Sequence, residues 1–559
     1  MTDCAVVGVA AILRPEVLRA RSATEALETL RARPADDEGT RSNPADYRPA
    51  IISTAVAAVL SLVYLLMPLT GQDASAQLAR ADFAYAHPFT PVDLRWFGGS
   101  LQFGYSLWAP WLGGLIGSKL LGALAAVAGT WFGTRLMQRA EPMRPLWGGI
   151  ALAVCQVADI MIGRVTYQCG LACGLAAALA VLSERRAAGF VLAFLAGAAS
   201  PVVTLGLWTY AAAGLARRRF GDAIVLALAS GAATAIISVY FADGGDMTFP
   251  TESFARAVTA SVLVIALLPM RHNVIRLGAV LNLAIVVVAA IVDSPIGSNA
   301  ERLGLIFAIP IVAAFVEWRT WIAAGVVIAS LIAQPPVTSE VYRLAGVPAT
   351  HDSYYEPLVT AIQRHAPLTG RVEVPEINGH WDAALLAKHV PLARGWLRQV
   401  DKKLNDDVFF KLSPTESTYR RWLTTNAVQY VAVPDAKLTP YGRRERALVQ
   451  GGLPYLHRVW QNERWTLYAV TGATPIVGAP AKLVSMDAAR IVVTAPRNTT
   501  VRIRVRWFKW TTLNTASGGC IARDDDQVAL HTGPGRGTGR YVISSSADPR
   551  KSGHQRGHC

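Results

Sequence analysis

Two aspartates and three arginines have the side chains and the setting for transfer chemistry. Asp82 and Asp93 lie in a polar, aromatic stretch, Gly71 to Tyr105, that follows the first long apolar run. A carboxylate held at a membrane surface beside a cavity can take the proton of a hydroxyl. Arg95, Arg164 and Arg302 carry planar guanidinium forks that can bind two oxygens of an anion at once. Each alone also fits an interface anchor whose head reaches water. Asp159 pairs with Arg164 equally well as structure or as site. Asn299 and Arg302 are three residues apart and share a face if a helix begins there, and Ser298 or Asn299 also suits a helix cap. Further on, His380, Trp381 and Asp382 follow a glycine, and Arg394, Trp396, Arg398, Gln399 and Asp401 come soon after. That set suits sugar recognition by stacking and hydrogen bonding, or the packing of a small domain against its neighbour. Asp243 and Asp246 read as an exposed turn with too few oxygens for a calcium loop.

The elements that must position these residues are membrane spans. Hydrophobic residues make up 52% of the 559, charged residues 17%, and the net charge is +15. Apolar runs are read at 51–69, 107–137, 146–162, 165–183, 189–215, 222–241, 256–270, 273–292, 303–317 and 319–333. A span takes about 20 residues. Arg41 and Arg48 place the N-terminus inside by the positive-inside rule, whereas Arg217-Arg218-Arg219 would then fall outside. Ser200-Pro201 resolves the conflict, because proline breaks the run 189–215 into two half-helices that return to the inner side. About eleven crossings follow, with loop 71–105 and the chain beyond residue 333 on the outer face. The aromatics of that loop fit a segment lying in the headgroup layer.

The stretch Asp93-Leu94-Arg95-Trp96-Phe97-Gly98-Gly99, with Phe103-Gly104-Tyr105-Ser106, resembles the first outer loop of actinobacterial multispanning glycosyltransferases of the GT-C type. Gly163-Arg164, Ser200-Pro201, Pro295 to Asn299 with Glu301 to Gly304, Gly379 to Ala384 and Pro391 to Trp396 extend the resemblance over roughly residues 50–559. It implies transfer of a sugar from a polyprenyl-phosphate donor to an envelope glycan or lipid acceptor at the outer face of the cell membrane. By motif position Asp93 is the first choice of base and Asp82 the second. Arg95, Trp96, Arg164, Asn299, Arg302, His380 and Arg394 form the substrate-binding set. The loop lacks an adjacent acidic pair, so a divalent cation is left open and no metal ligand is assigned.

The domain reading is a cytoplasmic lead over 1–49, a GT-C-like helical bundle over 50–333, an extracytoplasmic α/β region over 334–475 and a small β-sandwich over 476–559. Tyr354 to His365 reads as helix, and Arg371 to Pro375 and Ala427 to Val433 as strands. Val501 to Trp507 alternates apolar and basic residues, a strand with one buried face. Cys520 and Cys559 can pair if that region lies outside the cytoplasm. No P-loop, dinucleotide fingerprint, HExxH or GxSxG is present, and no basic stripe with interleaved aromatics points to nucleic acid. A secondary transporter, for which the Ser200-Pro201 break speaks, and a non-catalytic envelope assembly protein on the same scaffold stand as alternatives.

Overall fold

The structure, a computed structural model, describes residues 46–68, 71–317, 346–548 and 550–559. Most of the lead 1–49 and the run 319–333 lie outside the described residues. Within them, six helices are long and apolar enough to cross a bilayer, beginning with α1 (Arg48–Leu66). In lipid every backbone polar group must be paired internally, which is why these apolar runs become helices. The run 107–137 is not one helix. Gly117, at φ 93°, divides it into the short α3 (Ala109–Ile116) and the long α4 (Ser118–Gln138). Loop 71–105 holds a two-strand ladder, β1 (Val92–Asp93) with β2 (Ser100–Leu101), and a helix, α2 (Ala74–Ala86), which packs so closely on α3 that a Cβ on Gly114 would lie 2.5 Å from the Ala81 carbonyl oxygen.

The bundle continues with α5 (Pro145–Met161) and α6 (Val165–Leu182). The break at Ser200-Pro201 is real. α7 (Arg186–Ala199) rises to the end that carries the large extramembrane part, and α8 (Pro201–Leu215) returns. Arg219 donates to the Val181 carbonyl at 3.2 Å, and Arg186 meets Asp222 at 2.9 Å, so the residues before α7 and after α8 share one end. Ala198 accepts from the Leu107 backbone at the other. α9 (Phe220–Tyr240), α10 (Thr251–Leu267), α11 (Asn273–Ile291) and α12 (Glu301–Phe315) complete the described bundle. The arginine-bearing turns after α4, α6, α8 and α10 all lie at the end away from the extramembrane part.

Above the bundle, β3 (Arg371–Glu373) pairs in parallel with β4 (Val428–Pro434), and β6 (Trp465–Val470) and β5 (Leu456–Gln461) complete a sheet of order β3-β4-β6-β5. Beyond it two antiparallel sheets face each other. β10 (Thr511–Asn514), β13 (Thr538–Ser545), β8 (Ile491–Pro496) and β7 (Lys482–Met486) form one, and β11 (Gly519–Asp524), β12 (Gln527–Thr532) and β9 (Thr500–Arg506) the other. On β9, Val501, Ile503 and Val505 point into the core while Arg502 stays exposed.

The aromatic part of loop 71–105 does not lie among headgroups. Residues 92–99 thread between the α/β unit and the sandwich. Trp96 and Phe97 enter the core of the first, and Val92 and Leu94 that of the second. Backbone bonds fasten both sides: Leu392 N–H to the Arg95 carbonyl, Leu94 N–H to that of Ala488, and Arg506 N–H to that of Gly98, each at 2.8 Å. Asp243 is likewise not exposed, for Arg506 of the sandwich holds its carboxylate.

Cys520 on β11 and Cys559 form a disulfide that closes a 39-residue separation. Such a loop constrains the unfolded chain by about 4 kcal/mol. Cys520→Ser and reduction are each expected to lower the thermal unfolding midpoint of the sandwich, read by differential scanning fluorimetry with and without a membrane-permeant reductant. An unchanged midpoint in both would contradict this.

Candidate functional site

The loop that joins α1 to α2 rests on the turn between α5 and α6. Asp73 N–H donates to the Ile162 carbonyl at 3.0 Å. The two turns touch so tightly that only glycine fits at two places. A Cβ on Gly163 (φ 98°) would stand 2.3 Å from the Ala74 nitrogen, and one on Gly71 (φ 105°) 2.5 Å from the Met161 oxygen. This seating puts Asp73 beside Arg164, which begins α6, and Arg302, in the first turn of α12.

Arg164 binds Asp159 at 3.1 Å and lies 3.8 Å from Asp73 and 4.0 Å from Glu301. Arg302 is 3.9 Å from Asp73, and its guanidinium lies over the Tyr167 ring at 5.2 Å. Arg256 on α10 closes the circle, 3.7 Å from Glu301. The side chains of Asp159 and Glu301 are 3% and 7% exposed, whereas that of Asp73 is 32% exposed. Asp73 is therefore the carboxylate of this cluster that an incoming molecule can reach. The Nε atoms of Arg164 and Arg302 are buried without a hydrogen-bond partner. A buried guanidinium N–H left unpaired is costly, and an oxyanion would relieve it.

Directly below the cluster opens a cavity of about 1060 Å³. It follows one face of α6 from Tyr167 to Leu182 and one face of α12 from Leu303 to Phe315, with α8 and α11 as the other walls. Its surface is mainly leucine, valine, isoleucine, alanine and phenylalanine, while Asn299 and Tyr167 stand at its upper end. The apolar shaft thus ends beside the charged cluster: Tyr167, over whose ring Arg302 lies, is a lining residue, while the charged side chains themselves stand just outside the lining.

Of the residues expected to form the site, Arg164, Asn299 and Arg302 meet at this rim. The others do not. Asp93 is buried with both carboxylate oxygens bound by Arg95, at 3.0 Å for Oδ1 to Nε and 2.7 Å for Oδ2 to Nη2. Arg95 also donates to the Ala79 carbonyl at 2.6 Å. Trp96, 1% exposed, gives its indole N–H to the Ala383 carbonyl. The pair and the indole hold the loop in place and face no opening. Asp82 stands on α2, half-exposed, with Lys388 at 3.5 Å. Asp73, which the sequence reading passed over, takes the position at the rim. The signals for it were a glycine two residues before and a span end shortly upstream.

His380 and Arg394 belong to a buried charge cluster in the α/β unit. Arg394 contacts Glu373 at 2.9 Å, Glu445 at 3.3 Å and Asp401 at 3.8 Å. His380 stacks on Trp396 with centroids 3.6 Å apart, and Glu376 lies 3.4 Å from its Nε2. Burial holds the His380 imidazole down at about 3, and burial raises the Asp382 carboxyl to about 7. The cluster reaches the rim only through its neighbours: Trp396 donates to the Gln72 carbonyl at 2.9 Å, and Gln399 bonds Tyr105 and the Pro295 carbonyl. Among the described residues no three His, Cys, Asp or Glu side chains gather as a metal ligand set.

Two outcomes are expected. Asp93→Asn leaves a buried guanidinium without its anion, at a cost of about 3–5 kcal/mol, so the variant should unfold earlier in denaturant; unaltered stability would refute the structural role. Asp382 binds its proton more tightly in the folded chain. Its contribution is complete below its ordinary value of 3.8 and is lost as pH rises through about 7. Relative to the wild type, Asp382→Asn should gain on the order of 2–4 kcal/mol between pH 4 and pH 8. A difference between the two proteins that does not change with pH would contradict the assignment.

No protein-family model matches the chain, and no curated protein matches it. Among solved structures, it is similar to arabinofuranosyltransferase AftD from Mycobacteria. One cryo-EM structure, of a mutant, matches at 13% identity and a TM-score of 0.44, covering 92% of this chain and 61% of that one. Another matches at 14% identity and a TM-score of 0.43, covering 92% and 58%. The chain thus spans about three fifths of the length of these AftD chains.

Proposed function

We propose that the chain is an integral membrane glycosyltransferase that moves a sugar from a polyprenyl-phosphate donor to a glycan or glycolipid acceptor. One observation carries the reading. A long apolar cavity ends at Tyr167 and Asn299, next to a cluster in which two arginines with unpaired N–H groups flank a partly exposed carboxylate. An isoprenoid chain suits the shaft, a phosphate suits Arg164 and Arg302, and a hydroxyl can approach Asp73.

The residues divide the work as follows. Asp73 accepts the proton of the acceptor hydroxyl as its oxygen attacks the anomeric carbon. The bond from that carbon to the phosphate oxygen breaks, and the electron pair leaves on the phosphate. Arg164 and Arg302 hold the growing charge with preset donors, the kind of term that dominates many rate enhancements. Asp159 and Glu301 fix Arg164 from behind, and Asn299 orients the headgroup where shaft meets rim. Asp93 and Arg95 act as positioning residues through the fold of the loop.

The arginine-rich turns at the far end support a cytoplasmic reading of that end by the positive-inside rule, and with it an outer reading of the rim and the extramembrane units. The disulfide suits that oxidising side. The helix break at Ser200-Pro201 sits at a bundle end and not at mid-depth, so the alternating-access geometry of a transporter gains nothing from it.

With purified protein and labelled polyprenyl-phosphate sugars, Asp73→Asn is expected to lower transfer by about 10²–10⁴-fold while the chain stays folded by circular dichroism. Arg302→Ala is expected to lower it by about 10²–10³-fold. Transfer by Asp73→Asn at the wild-type rate would overturn the reading.

A further inference from the structure

The cavity has a second mouth at the opposite end of the bundle, about 27 Å from the first along the 18 residues of α6. Arg139 after α4, Arg217 and Arg219 after α8, and Arg271 before α11 all line it. These four come from three separate turns. Arg219 is held by Asp222 and Arg271 by Glu317, each at 2.6 Å. Arg139 and Arg217 are exposed and make no side-chain hydrogen bond or ion pair with a described residue. Glu141 and Asp222 are the acids in the same lining, so the mouth keeps a surplus of positive charge. Immediately inward the wall is apolar, with Leu136, Met137, Leu182, Val264, Ile275 and Phe315.

The bias of basic residues to one membrane face accounts for the arginines being at this end. It does not account for their convergence on the mouth of one apolar shaft. A free anion would satisfy the guanidinium groups and leave the wall beneath them bare. A sterol or neutral lipid would fill the wall and leave the cations unpaired. An anionic amphiphile satisfies both.

We propose that this mouth seats an anionic glycerophospholipid of the adjoining leaflet. Its phosphate lies between Arg139 and Arg217, and an acyl chain enters the lower shaft. Arg219 and Arg271 border the site while keeping their acidic partners. The site is distinct from the rim at Asp73 and does not depend on the transferase reading.

The test uses the full chain in nanodiscs of phosphatidylcholine with a minor share of phosphatidylglycerol. Lipid retained after detergent extraction is read by native mass spectrometry. Wild-type protein is expected to retain phosphatidylglycerol over phosphatidylcholine, and Arg139→Ala/Arg217→Ala to reduce that retention by about 30-fold, since each arginine near an anionic surface contributes about fivefold. Both positions are exposed, so folding should persist, which the unfolding midpoint checks. Asp73→Asn should retain the lipid as the wild type does. Equal retention of the two lipids by wild-type protein, or undiminished phosphatidylglycerol in the double variant, would overturn the proposal. Inorganic phosphate alone should give no thermal stabilisation. Stabilisation by phosphate equal to that by the lipid, and lost in the double variant, would overturn the assignment to a lipid.

Discussion

The buried pair of Asp93 and Arg95 is the interaction on which the upper part of the molecule depends. It lies in a loop of the membrane bundle, yet that loop supplies core residues to both extramembrane units. Two opposite charges removed from water repay their desolvation only in good geometry with further hydrogen bonds. Here the guanidinium meets both carboxylate oxygens and the Ala79 carbonyl of α2. The pair therefore ties α2, the loop and the α/β unit together. The ties of Arg506 to Asp243 and of Trp396 to the Gln72 carbonyl add to this anchor on the bundle.

From that anchor the order passes to the rim. Trp396 reaches the Gln72 carbonyl, next to Asp73, and Gln399 reaches the segment before Asn299. His380 stacks on Trp396 and is itself set in the charge cluster around Arg394. Extramembrane residues thus position the membrane-surface groups without touching the cavity. The arrangement explains why so many charged side chains are buried in a domain that lies above the bundle. They fix an indole and an amide whose bonds set the height of two rim loops.

Much of the bundle was legible because hydropathy is local. The spans could be read from apolar run length, and the hairpin at Ser200-Pro201 from a conflict between arginine placement and helix direction. Tyr354 to His365 and Ala427 to Val433 announced a helix and a strand by composition, and α13 (Asp352–Arg364) and β4 occupy them. The break at Gly117 was passed over although Ser118 and Lys119 follow it, because long apolar stretches on either side merged into one run. The site was legible only in part. Arg164, Asn299 and Arg302 stand at helix starts, which sequence marks well. The burial of Asp93 against Arg95 was not legible, because it follows from contacts with residues hundreds of positions away. Asp73 was overlooked because α2 carries few leucines or valines and so did not read as a helix, leaving its first residue without a context.

The hairpin of α7 and α8 has a further consequence for the lipid around it. Its arms have 14 and 15 residues, about 21–23 Å of helix, against a hydrocarbon slab of about 30 Å. The deficit must be met by the bilayer, which thins beside a short segment at a cost of a fraction of a kcal/mol per Å. α8 is also a wall of the shaft. A bilayer that thins along that flank brings the headgroups of its two leaflets closer together, which shortens the path through oil for a tethered polar group entering there.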